Sequence, residues 1–169
     1  VGRFVVANTP YGTTLADEVA ALQRIGAQRH VSLGDGGIAQ LAQRFRFNEH
    51  IFDAELNGSK VVGFHHEPTA ISSRVVSGTR TPPAPFGVYS AKIEFEASPG
   101  NWIQKKGGST FFPDTWSRTD VMYESIQAFS TRNYPDPMKP SLWSGTTPSG
   151  ALVRCYEYPN LTVYPVRRP

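Results

Sequence analysis

Apolar residues recur at helical spacing near the start of the chain and once more near residue 120; elsewhere they alternate or come in short runs. Leu15, Val19, Leu22 and Ile25 fall three or four positions apart, the signature of a one-sided helix. This helix is expected to start near Thr14, with Asp17 three places on as its capping partner, and to stop at Gly26. A second short helix after Asp35 would carry Ile38, Leu41 and Phe45 on one face. A third, capped by Thr119 or Asp120, would bury Val121, Met122, Ile126 and Phe129.

From Phe47 onward the pattern changes to strands interrupted by Gly and Pro. The best strand candidates are residues 61–64, 88–95, 110–112, 152–158 and 161–164. Within 88–95 the alternation places Tyr89, Ala91, Ile93 and Phe95 on one face and Ser90, Lys92 and Glu94 on the other. Residues 79–87 hold three prolines, and residues 132–150 hold four with few apolar anchors, so both are expected to be surface loops. No internal repeat is visible. The pattern predicts an α+β fold in which N-terminal helices are followed by mainly antiparallel sheets. Residues 1–47 are expected to form a helical segment packed on a second unit, residues 48–169.

Composition narrows the class. Hydrophobic residues make up 39% and charged residues 18% of the 169 positions, which excludes a disordered charged tail. No apolar run is long enough for a membrane helix, and no signal peptide pattern opens the sequence. Cys155 is the single cysteine, so neither an internal disulfide nor a cysteine-based zinc site is expected. Seventeen Lys and Arg against fourteen Asp and Glu give a net charge of +3, compatible with a polyanionic partner without requiring one.

Candidate chemistry starts with the four histidines, His30, His50, His65 and His66. His50 lies in Glu49-His50-Ile51-Phe52, and His65 and His66 close the run Gly63-Phe64-His65-His66. Between them, Leu56-Asn57-Gly58-Ser59 carries the Asn-Gly pair that favours a tight hairpin turn. A hairpin would return its two arms side by side, so imidazoles fifteen positions apart would face one cleft. Two histidines suit acid–base chemistry near neutral pH, because one accepts a proton while the other donates one. Two other readings stand beside this: packed or surface histidines without a chemical role, and a metal site built from His50, His65 and His66. The usual zinc spacings are absent. In a strand His65 and His66 would point to opposite faces, so only one enters the cleft.

Two further segments carry polar chemistry. In Lys105-Lys106-Gly107-Gly108-Ser109 an ammonium and backbone N–H groups would lie close to an anion, although solvated lysines beside a turn would read the same way. In Thr162-Val163-Tyr164 the hydroxyl and the phenol share one face of a terminal strand, where they would hydrogen-bond and stack a nucleobase. An ordinary edge strand has the same pattern.

In this order the three segments resemble the EndoU endoribonucleases over residues 46–169. Glu49-His50-Ile51-Phe52 matches the family's first histidine motif, and Gly63-Phe64-His65 the second. Lys105 with Ser109 matches its lysine and serine, and Thr162-Val163-Tyr164-Pro165 its closing Thr/Ser-x-Tyr. The run Ser109-Thr110-Phe111-Phe112-Pro113-Asp114-Thr115-Trp116-Ser117 is most similar to the bacterial toxin branch, whose domains are typically C-terminal cargo of contact-dependent inhibition and other polymorphic toxins. Lys106 competes with Lys105, and His66 follows the matched histidine where other branches carry Leu or Asn.

The resemblance implies a uridine-preferring, metal-independent endoribonuclease without a cofactor. The ribose 2′-OH would attack the adjacent phosphorus and leave a 2′,3′-cyclic phosphate and a 5′-OH. His65 would take the 2′-OH proton and His50 protonate the leaving oxygen, or the reverse. Lys105 and the backbone N–H near Gly63 would stabilise the phosphorane charge, Tyr164 would pack on the sugar or base, and Thr162 and Ser109 would bind the uracil edge. It also implies an RNA substrate, with tRNA the common target among bacterial relatives, and a cognate immunity protein as inhibitor. The domain would be a monomer outside that complex, secreted within a larger toxin and delivered to the target-cell cytoplasm. The competing class is an inactive RNA- or protein-binding module of the same fold.

Overall fold

A computed structural model describes residues 15–28 and 35–168. It is an α+β fold of three helices and several small antiparallel sheets. Helices α1 (Leu15–Gln28) and α2 (Asp35–Arg44) precede the strands, and α3 (Arg118–Ser130) divides them. Thr14, the expected start of the first helix, and His30 lie outside the described residues. Gly26 does not stop α1, which continues to Gln28; one interior glycine costs only about 1 kcal/mol, which packing of the helix can outweigh. The cap of α3 is Ser117 rather than Thr119 or Asp120. Asp120 occupies the third position of a capping box, its carboxylate accepting the Ser117 N–H at 2.8 Å while the Ser117 hydroxyl accepts the Asp120 N–H at 3.1 Å.

The Asn-Gly turn forms as expected: β1 (Ala54–Asn57) pairs antiparallel with β2 (Lys60–Gly63), Asn57 opposite Lys60. The single strand expected at 88–95 is instead two. β3 (Ser73–Val75) and β6 (Asn101–Gln104) flank β5 (Ile93–Ser98), whereas β4 (Tyr89–Ala91) pairs with β7 (Ser109–Phe111). The break falls at Lys92, whose carbonyl accepts from Val76 N–H and whose N–H donates to the Thr79 hydroxyl. Hydrophobic alternation nevertheless continues through the break, with Tyr89, Ala91 and Ile93 all buried.

Residues 132–150 are not simply a surface loop. They contain β8 (Trp143–Thr146), which pairs with β9 (Leu152–Cys155), itself paired with β10 (Tyr164–Pro165). Leu142 and fully buried Trp143 supply the anchors, and the prolines stay outside the paired stretch. The expected strands at 152–158 and 161–164 are correspondingly shorter, and Leu161 instead forms an isolated parallel bridge with Phe45.

Two apolar cores result. One gathers Leu22, Ile38 and Ala42 from the first two helices with Met122, Ile126, Phe129, Trp143 and Val153. The other lies beneath the hairpin and joins Val61, Phe64, Tyr89, Ile93 and Phe111. A buried Arg118–Glu18 ion pair of 2.6 Å ties α1 to α3, with the guanidinium 4.0 Å above the Phe52 ring. Ile51 and Phe52 belong to the first core and Phe64 to the second, so His50 and His65 project where the two cores meet.

Candidate active site

His50 is set by a wide π-helical turn, Phe47–Ile51, closed by Phe52 N–H on Phe47 O at 2.7 Å. Phe47, Ile51 and Phe52 are buried and fix this turn in the core, which explains the aliphatic and aromatic residues after the histidine. His65 follows a sharp corner instead of continuing β2. Gly63 and Phe64 both adopt positive φ, +83° and +68°. A Cβ on residue 63 would collide with the His50 carbonyl oxygen, which demands glycine there. For Phe64 a left-handed backbone costs about 1–3 kcal/mol. Its fully buried ring, edge-on to Phe111 at 5.1 Å, and its N–H bond to His50 O at 2.7 Å hold it in place.

The corner brings the His50 and His65 ring centroids to 5.9 Å and places the Tyr164 ring 5.8 Å from His65. The two histidines flank the hairpin rather than lying on its strands. His65 Nδ1 bonds the Thr110 carbonyl at 2.7 Å, and since a carbonyl only accepts, the proton sits on Nδ1 and the Nε2 lone pair remains for chemistry. Burial pushes the His65 pKa well below the usual histidine value, and neighbouring Lys105 and His50 add to this. Burial also lowers His50, but Glu55 opposes it: Glu55 Oε1 lies 3.1 Å from His50 Nδ1, while Oε2 holds Arg46 at 2.7 Å. His65 is therefore the neutral imidazole, and His50 has the carboxylate that favours its protonated form.

Lys105 reaches the same place from the end of β6. Gly107 and Gly108 turn the chain with positive φ, so that Lys105 and Ser109 face each other. Lys105 Nζ donates to Ser109 Oγ at 2.7 Å and to the Gly63 carbonyl at 3.0 Å. Burial lowers its pKa to about 8. Lys106 is exposed on the turn but still borders the cleft. Gly63 thus acts here through its carbonyl and its missing side chain; the nearby Phe64 N–H is already bonded to His50 O. Thr162 is buried with its hydroxyl 2.8 Å from Cys155 Sγ.

His50, Gly63, His65, Lys105, Ser109, Thr162 and Tyr164 all border one cavity of about 1110 Å³. His66 does not. Its Nε2 faces the Trp116 carbonyl at 2.7 Å and its Nδ1 the Thr69 hydroxyl at 3.0 Å, so the three-histidine metal arrangement is not assembled. Among the described residues no group of three His, Cys, Asp or Glu is placed to hold a metal ion. Sequence reasoning does not single out Glu55, five positions after His50 on the hairpin, and weighs Cys155 only for a disulfide or a zinc site. The signal for Glu55 was present: a carboxylate on the strand that the turn folds back beside the histidine.

The fold and cleft define an α+β protein equipped for acid–base chemistry on an anionic ligand. Residues 46–167 match the model of the bacterial EndoU nuclease family, and the chain belongs to that family. A Bacillus cereus protein named as a toxin is 32% identical over 101 residues, 56% of this chain and 18% of that protein. The chain therefore spans less than a fifth of that relative's length. No solved structure matches the chain.

Proposed function

We propose that the chain is the endoribonuclease domain of a toxin, cleaving RNA at or near uridine without a metal or other cofactor. The ribose 2′-OH attacks the adjacent phosphorus, and the 5′-oxygen of the next nucleotide leaves. The products are a 2′,3′-cyclic phosphate and a 5′-OH, so only RNA serves. Neutral His65 takes the 2′-OH proton through Nε2. His50, supported by Glu55, returns a proton to the leaving oxygen. Lys105 stabilises the negative charge that gathers on the non-bridging oxygens. Tyr164 packs on the sugar or base, with Thr162 and Ser109 at the uracil edge.

The observation that carries this reading is the pair of imidazoles 5.9 Å apart whose surroundings differ: burial lowers the pKa of both, further at His65, and only His50 has a carboxylate opposing it. Such a split assigns acid and base roles. In this reading residues 48–169 form the nuclease unit and residues 1–47 a helical segment packed on it. The domain is a monomer carried in a larger secreted toxin and delivered to the target-cell cytoplasm. A cognate immunity protein would set acidic groups against Lys105 and Lys106. The test is incubation with total tRNA, with and without EDTA, alongside His50→Ala and His65→Ala. Cyclic-phosphate ends made only by the unaltered chain, regardless of chelator, support the scheme. Cleavage abolished by EDTA would remove it, and no cleavage of any RNA would return the chain to the binding-module class.

A further inference from the structure

The catalytic groups occupy only part of their cavity. At about 1110 Å³ it exceeds what one nucleotide needs, and it continues past Ser109 across β7 and β4 to residues 79–81. Those residues are fastened to β4: Thr81 N–H donates to Ser90 O at 2.8 Å, Ser90 N–H donates to Thr81 Oγ1 at 2.9 Å, and Lys92 N–H donates to Thr79 Oγ1 at 3.0 Å. Neighbouring strands lie about 4.8 Å apart, so this margin runs about 10 Å from β7 and from Ser109.

The charge along this arm is of one sign. Lys92 and Lys106 border it, with Lys105 at its inner end and Lys139 across the cleft. No Asp or Glu is among the residues bordering the cavity. Among the described residues, neither Lys92, Lys106 nor Lys139 has a carboxylate partner within ion-pair distance. By contrast, exposed Arg74 is paired with Glu94, and Arg80, within the 79–81 segment itself, is paired with Glu67 and Asp114 and does not border the cavity. Three of the lysines without an ion pair among the described residues thus line the cleft, while Lys60 stands apart at the start of β2.

We infer that the arm formed by Lys92, Lys106 and the residue 79–81 segment is a second phosphate site, which binds the RNA backbone one or two nucleotides away from the cut. This rests on the nuclease reading above and extends it: the preferred substrate is a single-stranded segment several nucleotides long, held by its backbone beyond the scissile phosphate. Two point charges on flexible stems recognise phosphate without reading a base. The arm therefore adds affinity and not sequence preference.

Two measurements test this on the Lys92→Ala/Lys106→Ala double variant. The first is binding of a fully deoxy hexanucleotide, which cannot be cleaved, followed by fluorescence anisotropy across a salt series. Each phosphate contact to a single strand contributes about 0.7 to the slope of log affinity against log salt, so the variant should lose about 1.4. The second is the ratio of kcat/KM for a hexanucleotide with one uridine ribonucleotide to that for a uridine dinucleotide. The unaltered chain should favour the hexamer at least tenfold, and the variant should bring that ratio close to one. An unchanged salt slope and an unchanged ratio, in a variant that melts like the parent, would overturn the arm. If neither substrate is cut by any form while the slope still falls, the arm stands and the nuclease reading fails.

Discussion

Two of the cavities bordered by the described residues take adjacent residues, His65 and His66. The larger holds His65 among four lysines and no carboxylate. The smaller, about 610 Å³, holds His66 in a lining of mixed charge, Asp17, Glu18 and Asp114 together with Arg24 and Arg118. Both histidines are buried, and burial lowers the pKa of both. What separates them is the state of the second nitrogen and the balance of charge. His66 spends both nitrogens inside the protein, whereas His65 spends one. A buried histidine with a depressed pKa therefore says little alone; the proposed catalytic role of His65 rests on its open nitrogen beside uncompensated positive charge.

The widest gap between the cavities should appear on substitution. His65→Ala should lower kcat about 10³-fold, within the range of a positioned acid or base. His66→Gln should keep kcat near the parental value while destabilising the fold by about 1–3 kcal/mol, because the Thr69 hydroxyl and Trp116 carbonyl lose a well-placed partner. Urea unfolding and steady-state kinetics on the same preparations check both. Equal activity losses would mean that the two imidazoles are not divided as the geometry indicates.

Lys105 sharpens the contrast from the side of charge. Lys105→Met should cost about 10²-fold in kcat, as expected for one donor to a developing oxyanion. Its pKa of about 8 adds a pH signature, since the ammonium is lost above that value. Activity should show a second, steeper limb above pH 8, where loss of the ammonium adds to loss of the His50 proton, and Lys105→Arg should move that limb upward, because a guanidinium keeps its proton. A limb that stays in place in the arginine variant would belong to another group.

Glu55 should matter less, and the sign of its effect decides a role. Glu55→Gln removes the interaction that raises the His50 pKa, so the His50 pKa should fall further. If His50 is the acid, the descending limb of kcat against pH moves to lower pH and the rate at pH 7 drops about tenfold, the worth of one charge-assisted hydrogen bond. If His50 were the base, its ascending limb would move to lower pH instead, and activity in mild acid would rise.

Much of this was legible in the residues because local rules decided it. The Asn57-Gly58 turn and the α2 stripe of Ile38 and Leu41 follow from turn chemistry and periodicity, whereas His65 and His66 part at a corner outside any strand. What escaped depended on partners distant in sequence. Lys92 divides one continuously alternating stretch into two strands where Val76 and Thr79 bond to it. Trp143 becomes a strand residue only because Cys155 lies opposite. The π-helical turn and the Gly63-Phe64 corner, which set the histidine spacing, leave no periodic trace. The site residues were readable as motifs; their tautomers required the fold.

The smallest effect expected is on stability against pH, and here the two cavities should act alike. A histidine whose folded pKa lies below its unfolded value of about 6.5 binds its proton more readily in the unfolded chain. Its contribution is fully present above pH 6.5 and is lost as the pH falls below that toward the folded pKa. His50, His65 and His66 all shift in this direction. The unfolding free energy from urea titrations should therefore decline from pH 6.5 to 5, with a slope approaching 1.36 kcal/mol per pH unit for each histidine involved. His66→Gln should remove one such increment of slope even though it leaves catalysis in place. His65→Asn should remove one as well, and the activity with it. The same substitution chemistry would then give equal changes in the pH dependence of folding and unequal changes in turnover, which separates what burial does to an imidazole from what an open cleft does with it.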